Sequence, residues 1–243
     1  MSLKQLTLDL VPNEEATFDN FVIGENHEVV EMLSAWSRES ASDRFIYLWG
    51  EAGCGKTHLM KSSLVAAAEQ GFVTCYLQDD LLLEVEADSL PENAYVAVDD
   101  VTRLNPSQQI AIFALYNRLK EGGGAMLTSG PLPSAQLDLR DDLVTRLGWG
   151  LSYRVNGLSD EQKSLALQHY AKEKGFDLTP EMVDYMLIHY RRDLPSLLQL
   201  LSQLDQLSLS LKRPITLSFV RQVLQRRVEV DQNPKQEDML IFS

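Results

Sequence analysis

Residues 50–57 read Gly50-Glu51-Ala52-Gly53-Cys54-Gly55-Lys56-Thr57, the pattern G-x-x-x-x-G-K-T. Phe45–Trp49, an apolar run, stands directly before it, and Lys56 to Gln70 has the composition of a helix. A strand, a glycine-rich loop and a helix, in that order, form the context in which this pattern builds an anion cradle. Glycine lets the backbone curl so that successive N–H groups converge on an anion. The helix that follows adds its positive N-terminal end. Gly50, Ala52, Gly53, Cys54 and Gly55 then line a nucleotide's phosphates, Lys56 reaches the terminal ones, and Thr57 turns its hydroxyl to Mg²⁺. Cys54 counts here only as a small residue.

Outward from the loop, short apolar runs alternate with longer helical stretches. Strands are expected at Phe45–Trp49, Val73–Leu77, Tyr95–Val98, Ala125–Thr128 and Ser152–Val155. Helices are expected from Lys56 to Gln70, from Pro106 to Glu121 and near Asp141 to Arg146. Such alternation predicts an α/β fold, a parallel sheet flanked by helices. Tyr95–Val98 runs into Asp99-Asp100. Two acids after a strand are common in ordinary turns, but beside a phosphate loop they have a use. Asp99 is the candidate metal partner, acting through bound water, and Asp100 a candidate to orient the attacking water.

After Asn156 the strand signals stop. Ser159 and Gln162 have capping-box spacing, Thr179-Pro180 pairs a cap residue with a first-turn proline, and Asp193 and Thr216 each open a further helix. Leucines at 197, 198, 201, 204 and 207 give the third of these helices an apolar stripe. The second part reads as a small all-helical domain.

The 243 residues carry a formal net charge of −13, from 35 acidic and 22 basic side chains. That balance argues against holding DNA mainly through its phosphates, which takes clustered Lys and Arg. With 44% hydrophobic residues a full core can form. The longest apolar runs fall far short of the roughly 20 residues that span a bilayer, so no membrane partner is expected. Two cysteines make no disulfide framework, which makes the cytoplasm the expected location.

These motifs resemble those of the AAA+ ATPases, in the branch of the bacterial replication initiator DnaA. Thr17–Gly24 is similar to the segment that precedes the phosphate loop in that branch, which implies that Phe21, Val22 and Ile23 flank the base; as bare sequence they are equally core residues. Gly55-Lys56-Thr57-His58 also resembles the initiator and adds His58 to the nucleotide site. Leu127-Thr128-Ser129-Gly130 matches the place of a γ-phosphate-sensing polar residue, with Thr128 or Ser129 in that role. Asp141–Gly150 resembles the arginine-finger segment and puts Arg146 in the finger position; without the resemblance it is a cation at a helix end. At the start of the third lid helix the family's phosphate-sensing Arg is replaced by Pro195, with Arg192 three residues earlier as a substitute or a surface cation. Weak intrinsic turnover is the consequence expected.

The resemblance covers about residues 17 to 228 and implies a P-loop AAA+ core with a helical lid. The expected layout is residues 1–12, a peptide; 13–156, the nucleotide-binding α/β domain; 157–230, the lid; and 231–243, a tail. Initiators end in a DNA-binding helix-turn-helix domain that has no counterpart before Ser243 here. Gln5-Leu6-Thr7-Leu8-Asp9-Leu10 resembles the peptide by which bacterial proteins dock on the DNA polymerase sliding clamp. Gln5 would enter a small pocket while Leu6, Leu8 and Leu10 fill an apolar groove; an edge strand is the alternative. Together these features are similar to the regulatory inactivators of DnaA. Such a protein holds ATP or ADP with Mg²⁺, docks on the clamp, meets DNA only through it, and stimulates ATP hydrolysis by the initiator. A helicase-loader-type ATPase and a nucleotide-gated adaptor without catalytic effect are the alternatives, and self-association stays open.

Overall fold

The computed structural model describes residues 15–38, 43–78 and 89–232. The peptide Gln5–Leu10 and the tail after Gln232 lie outside these residues. The chain divides into two compact units, with the boundary between Gly157 and Leu158.

The first unit is built on five strands: β1 (Phe45–Trp49), β2 (Thr74–Leu77), β3 (Tyr95–Val98), β4 (Ala125–Gly130) and β5 (Leu151–Arg154). They form one sheet in the order β2-β3-β4-β1-β5, and every pairing is parallel. Parallel neighbours need crossovers, and helices α1 (His27–Trp36), α2 (Lys56–Glu69), α3 (Pro106–Gly122) and α4 (Asp141–Leu147) accompany the strands. One face of the sheet packs Ile46, Leu48, Ala97 and Leu127 with Leu33, Trp36, Leu59 and Met60. The other packs Val96, Val98 and Met126 with Ile112, Leu115, Leu119 and Leu143. Burial on both sides explains why Tyr95–Val98 reads as an unbroken apolar run rather than an alternation.

Three strands differ from expectation in their limits. β2 starts one residue late, β5 lies one residue early, and β4 continues through Ser129 to Gly130, because Ser129 and Gly130 pair in register with Leu48 and Trp49. Helix α1 has no counterpart in the sequence reading. Val29, Leu33 and Trp36 recur at helical spacing and are buried, but ten residues with no side-chain cap make a weak local signal. Asn26, at the cap position, is used elsewhere. Its Nδ2 donates to the Asn156 carbonyl at 2.9 Å and its Oδ1 accepts from the Asn156 N–H at 2.7 Å. That clasp ties residues 23–26 to the chain leaving β5.

The second unit holds α5 (Asp160–Glu173), α6 (Pro180–His189), α7 (Leu194–Leu211) and α8 (Leu217–Gln232). Ser159 and Gln162 form a reciprocal capping box on α5. Asp193 caps α7 by accepting from the Ser196 N–H. Thr179 makes no side-chain cap bond, so α6 relies on Pro180 in its first turn. On α7 the buried stripe is Leu197, Leu200, Leu201 and Leu204, whereas Leu207 is 39% exposed. Leu201→Ala is expected to lower stability by about 2–5 kcal/mol, because the side chain is fully buried among Leu167, Val183 and Val220. Urea unfolding of the whole chain measures this; an unchanged midpoint would contradict the packing.

Candidate functional site

The loop between β1 and α2 closes on itself through main-chain and side-chain bonds. An ideal Cβ on Gly50 would sit 2.4 Å from the Val155 carbonyl oxygen, so the chain passes too closely there for any other residue. Gly55, at φ +105°, is left-handed, and a Cβ on it would lie 2.8 Å from the Phe21 ring. Gly55 is also the cap residue of α2 and offers no side-chain acceptor, so the first N–H groups of that helix face outward without an intrahelical partner. Lys56 Nζ folds back to donate to the carbonyls of Gly50 at 2.7 Å and Glu51 at 2.9 Å. Cys54 is buried under the loop, while Ala52 and Gly53 are exposed on its rim. An anion placed against this loop meets free N–H groups and an ammonium.

Asp99 follows β3 at the carboxyl end of the sheet, where ligands of open α/β folds bind. It is 7% exposed. Its Oδ2 accepts from Thr57 Oγ1 and from the Tyr76 hydroxyl, each at 2.6 Å. Its Oδ1 accepts from Ser129 Oγ. Burial works against its charge, but the Ser129, Thr57 and Tyr76 hydrogen bonds and the Lys56 charge outweigh it and hold the carboxyl below its ordinary value. An ionised carboxylate beside the Thr57 hydroxyl is an oxygen donor set that suits Mg²⁺, which is commonly held by one or two protein oxygens plus phosphate and water. The described residues contain no cluster of three or more His, Cys, Asp or Glu side chains that would cage a metal by itself.

Asp100 adopts the left-handed region at φ 50°, which Asp tolerates better than most residues. Its N–H donates to Ser129 Oγ at 2.9 Å, and its Oδ1 accepts from Thr102 at 2.6 Å. Thr128, one of the two alternatives the sequence left open, lies away from Asp99. Its hydroxyl points to the opposite face of β4 and contacts the Ile46 carbonyl at 3.4 Å, and Ser129 is the residue that reaches Asp99. Successive residues of a strand face opposite sides, so the adjacent pair cannot share one site. Tyr76 had no signal of its own in the sequence. Its register opposite Ala97 puts it on the same face as Asp99, which only the strand order reveals.

Phe21, Val22 and Ile23 are half-buried next to the loop. The Phe21 ring lies 5.3 Å from that of His58. His58 Nε2 donates to the Thr17 carbonyl at 2.9 Å; a carbonyl only accepts, so this nitrogen carries the proton. His58 therefore supports the segment 17–23 from below.

Arg146 lies in the last turn of α4. Its guanidinium is 4.0 Å from the Trp149 ring centre, with Phe113 at 5.3 Å and Tyr116 at 5.9 Å. Its Nε is buried with no hydrogen-bond partner, and among the described residues no carboxylate pairs with it. Cation–π contact is what holds it. Arg192, in the second unit, donates to Asp160 Oδ2, and Pro195 occupies the first turn of α7.

The bacterial DnaA ATPase domain model matches residues 12–154, and the Hda lid domain model matches residues 160–224. Domain III of the Thermotoga maritima replication initiation protein DnaA superposes with a TM-score of 0.74 at 19% identity, covering 88% of this chain and 97% of that one. DnaA from Aquifex aeolicus bound to AMPPCP gives 0.68 at 22% identity, covering 90% and 71%. A Thermotoga maritima RuvB variant gives 0.65 at 16%, covering 86% and 71%. At these identities the superpositions establish the AAA+ fold. The family model matches more than half of the chain, and with the second match on its helical unit the chain belongs to the DnaA-related AAA+ ATPases and carries an Hda-type lid.

Proposed function

We propose that this protein holds ATP or ADP with Mg²⁺ and lends Arg146 to ATP bound by a DnaA initiator. Docking on the DNA polymerase sliding clamp through Gln5, Leu6, Leu8 and Leu10 brings it to the initiator, and DNA is met indirectly through the clamp. The result is ADP-bound initiator and restraint of replication initiation in the cytoplasm. The observation that carries this reading is Arg146: a guanidinium without a carboxylate partner among the described residues, resting on aromatic rings in the segment that resembles a finger. The planar guanidinium fork suits two phosphate oxygens.

In the protein's own site, the Gly50–Gly55 backbone and Lys56 grip the phosphates, while Phe21, Val22 and Ile23 border the base. The AMPPCP seen on the Aquifex aeolicus DnaA supports an adenine nucleotide here. Thr57 and Asp99 would hold Mg²⁺, which neutralises charge on the phosphate oxygens. Ser129 keeps Asp99 in place, and Asp100 stands ready to orient water. Turnover by the protein itself is slow, because Pro195 brings no charge to the place where the family has its phosphate-sensing Arg.

Phosphate release from ATP-bound initiator, followed with clamp and DNA present, tests the reading. Addition of this protein should accelerate release, and no acceleration would refute it. The clamp element has its own test. Leu6→Ala with Leu8→Ala should weaken binding to immobilised clamp by about 10²-fold and leave ADP binding unchanged. Clamp affinity equal to the parent's would remove the peptide from the scheme.

A further inference from the structure

Asp99 is held from three directions. Thr57 belongs to the phosphate-loop helix, Ser129 to the end of β4, and Tyr76 to β2. The three donors differ in what else they do. Ser129 is itself fixed by the Asp100 N–H. Thr57 is the hydroxyl that the loop offers to a cation, so its bond to Asp99 is shared with that task. Tyr76 is no part of the loop, and its half-buried ring is flanked by the Lys61 ammonium at 5.0 Å from the ring centre. An ammonium over a tyrosine face is attractive and restrains the ring.

A carboxylate has about four lone-pair positions. With Ser129 on Oδ1 and both Thr57 and Tyr76 on Oδ2, the three donors fix the rotation of the group and leave one direction open. We infer that Tyr76 is a positioning residue of the metal–nucleotide site: its hydroxyl sets the direction in which Asp99 faces and thereby the Mg²⁺ concentration the protein needs to retain nucleotide. This rests on the reading of Gly50–Thr57 with Asp99 as a Mg²⁺-nucleotide site. The residue acts through Asp99 and not on the phosphates, so its effect must vanish when either Mg²⁺ or the Asp99 charge is absent.

The test is the affinity of a fluorescent ADP, measured in EDTA and across a Mg²⁺ titration, for the parent, Tyr76→Phe, Asp99→Asn and the double variant. Tyr76→Phe keeps the ring and removes one hydrogen bond to a charged acceptor. Its Mg²⁺ half-saturation should rise about tenfold, with affinity in EDTA within about twofold of the parent. In the Asp99→Asn background the same change should add nothing, the mark of two residues acting as a unit. Superimposable Mg²⁺ curves for parent and Tyr76→Phe overturn the inference and leave the nucleotide site standing. Equal loss in EDTA and Mg²⁺ also overturns it, because that marks a purely structural role. A parent that binds no ADP in either medium overturns the inference together with the reading of the site.

Discussion

Arg146→Ala is expected to reduce stimulated ATP hydrolysis by about 10³-fold or more while clamp binding stays at the parent level. The size follows from what a finger does. It adds a positive charge at the moment charge spreads over the transferred phosphoryl group, and water cannot replace a fixed guanidinium in a closed interface. Arg146→Lys should recover little, since an ammonium is a point charge and cannot span two oxygens. Folding should survive the change. No carboxylate pairs with Arg146 among the described residues, so its removal strands no buried anion, while Tyr116 keeps its place in the core and Trp149 its contact with the Lys120 ammonium. The measurement is phosphate release from ATP-bound initiator with clamp and DNA, alongside a melting curve. Full stimulation by a folded Arg146→Ala protein would remove the finger from the proposal.

Lys56→Ala should weaken Mg²⁺-ADP binding by about 10²-fold, since an ammonium makes more than one charge-assisted hydrogen bond to phosphate. In the structure Nζ already rests on the Gly50 and Glu51 carbonyls, so it lies at the mouth of the loop and need not be recruited from solvent. Those carbonyls belong to a loop with exposed residues at Glu51 and Ala52, and water can satisfy them once the lysine is gone. Calorimetric titration of ADP with Mg²⁺ measures the loss. Parent-like affinity would mean that the cradle binds no phosphate.

The two changes probe separate parts of the first unit. Lys56 reports on what this chain holds, Arg146 on what it gives to a neighbour. An Arg146→Ala protein that loses stimulation but keeps ADP separates lending a charge from binding a nucleotide.

The loop, the acids after β3 and the Ser159 and Asp193 caps of the second unit were legible in the sequence because each depends on contacts within a few residues. G-x-x-x-x-G-K-T needs only a strand before it and a helix after it, and Ser159 with Gln162 needs only one helical turn. Helix α1 escaped because ten residues without a side-chain cap give little local signal, and its buried Val29, Leu33 and Trp36 are held by tertiary packing. Thr128 and Ser129 are adjacent and chemically alike, and only the pairing of β4 with β1 and β3 decides which one faces the carboxylate. Tyr76 became part of the site through the parallel register of β2 beside β3. Local pattern determined which chemistry this protein carries, because backbone conformation and helix ends obey short-range rules. Tertiary structure alone decided which hydroxyls surround Asp99 and which rings receive Arg146, because strand order and register are set by burial summed over the whole sheet.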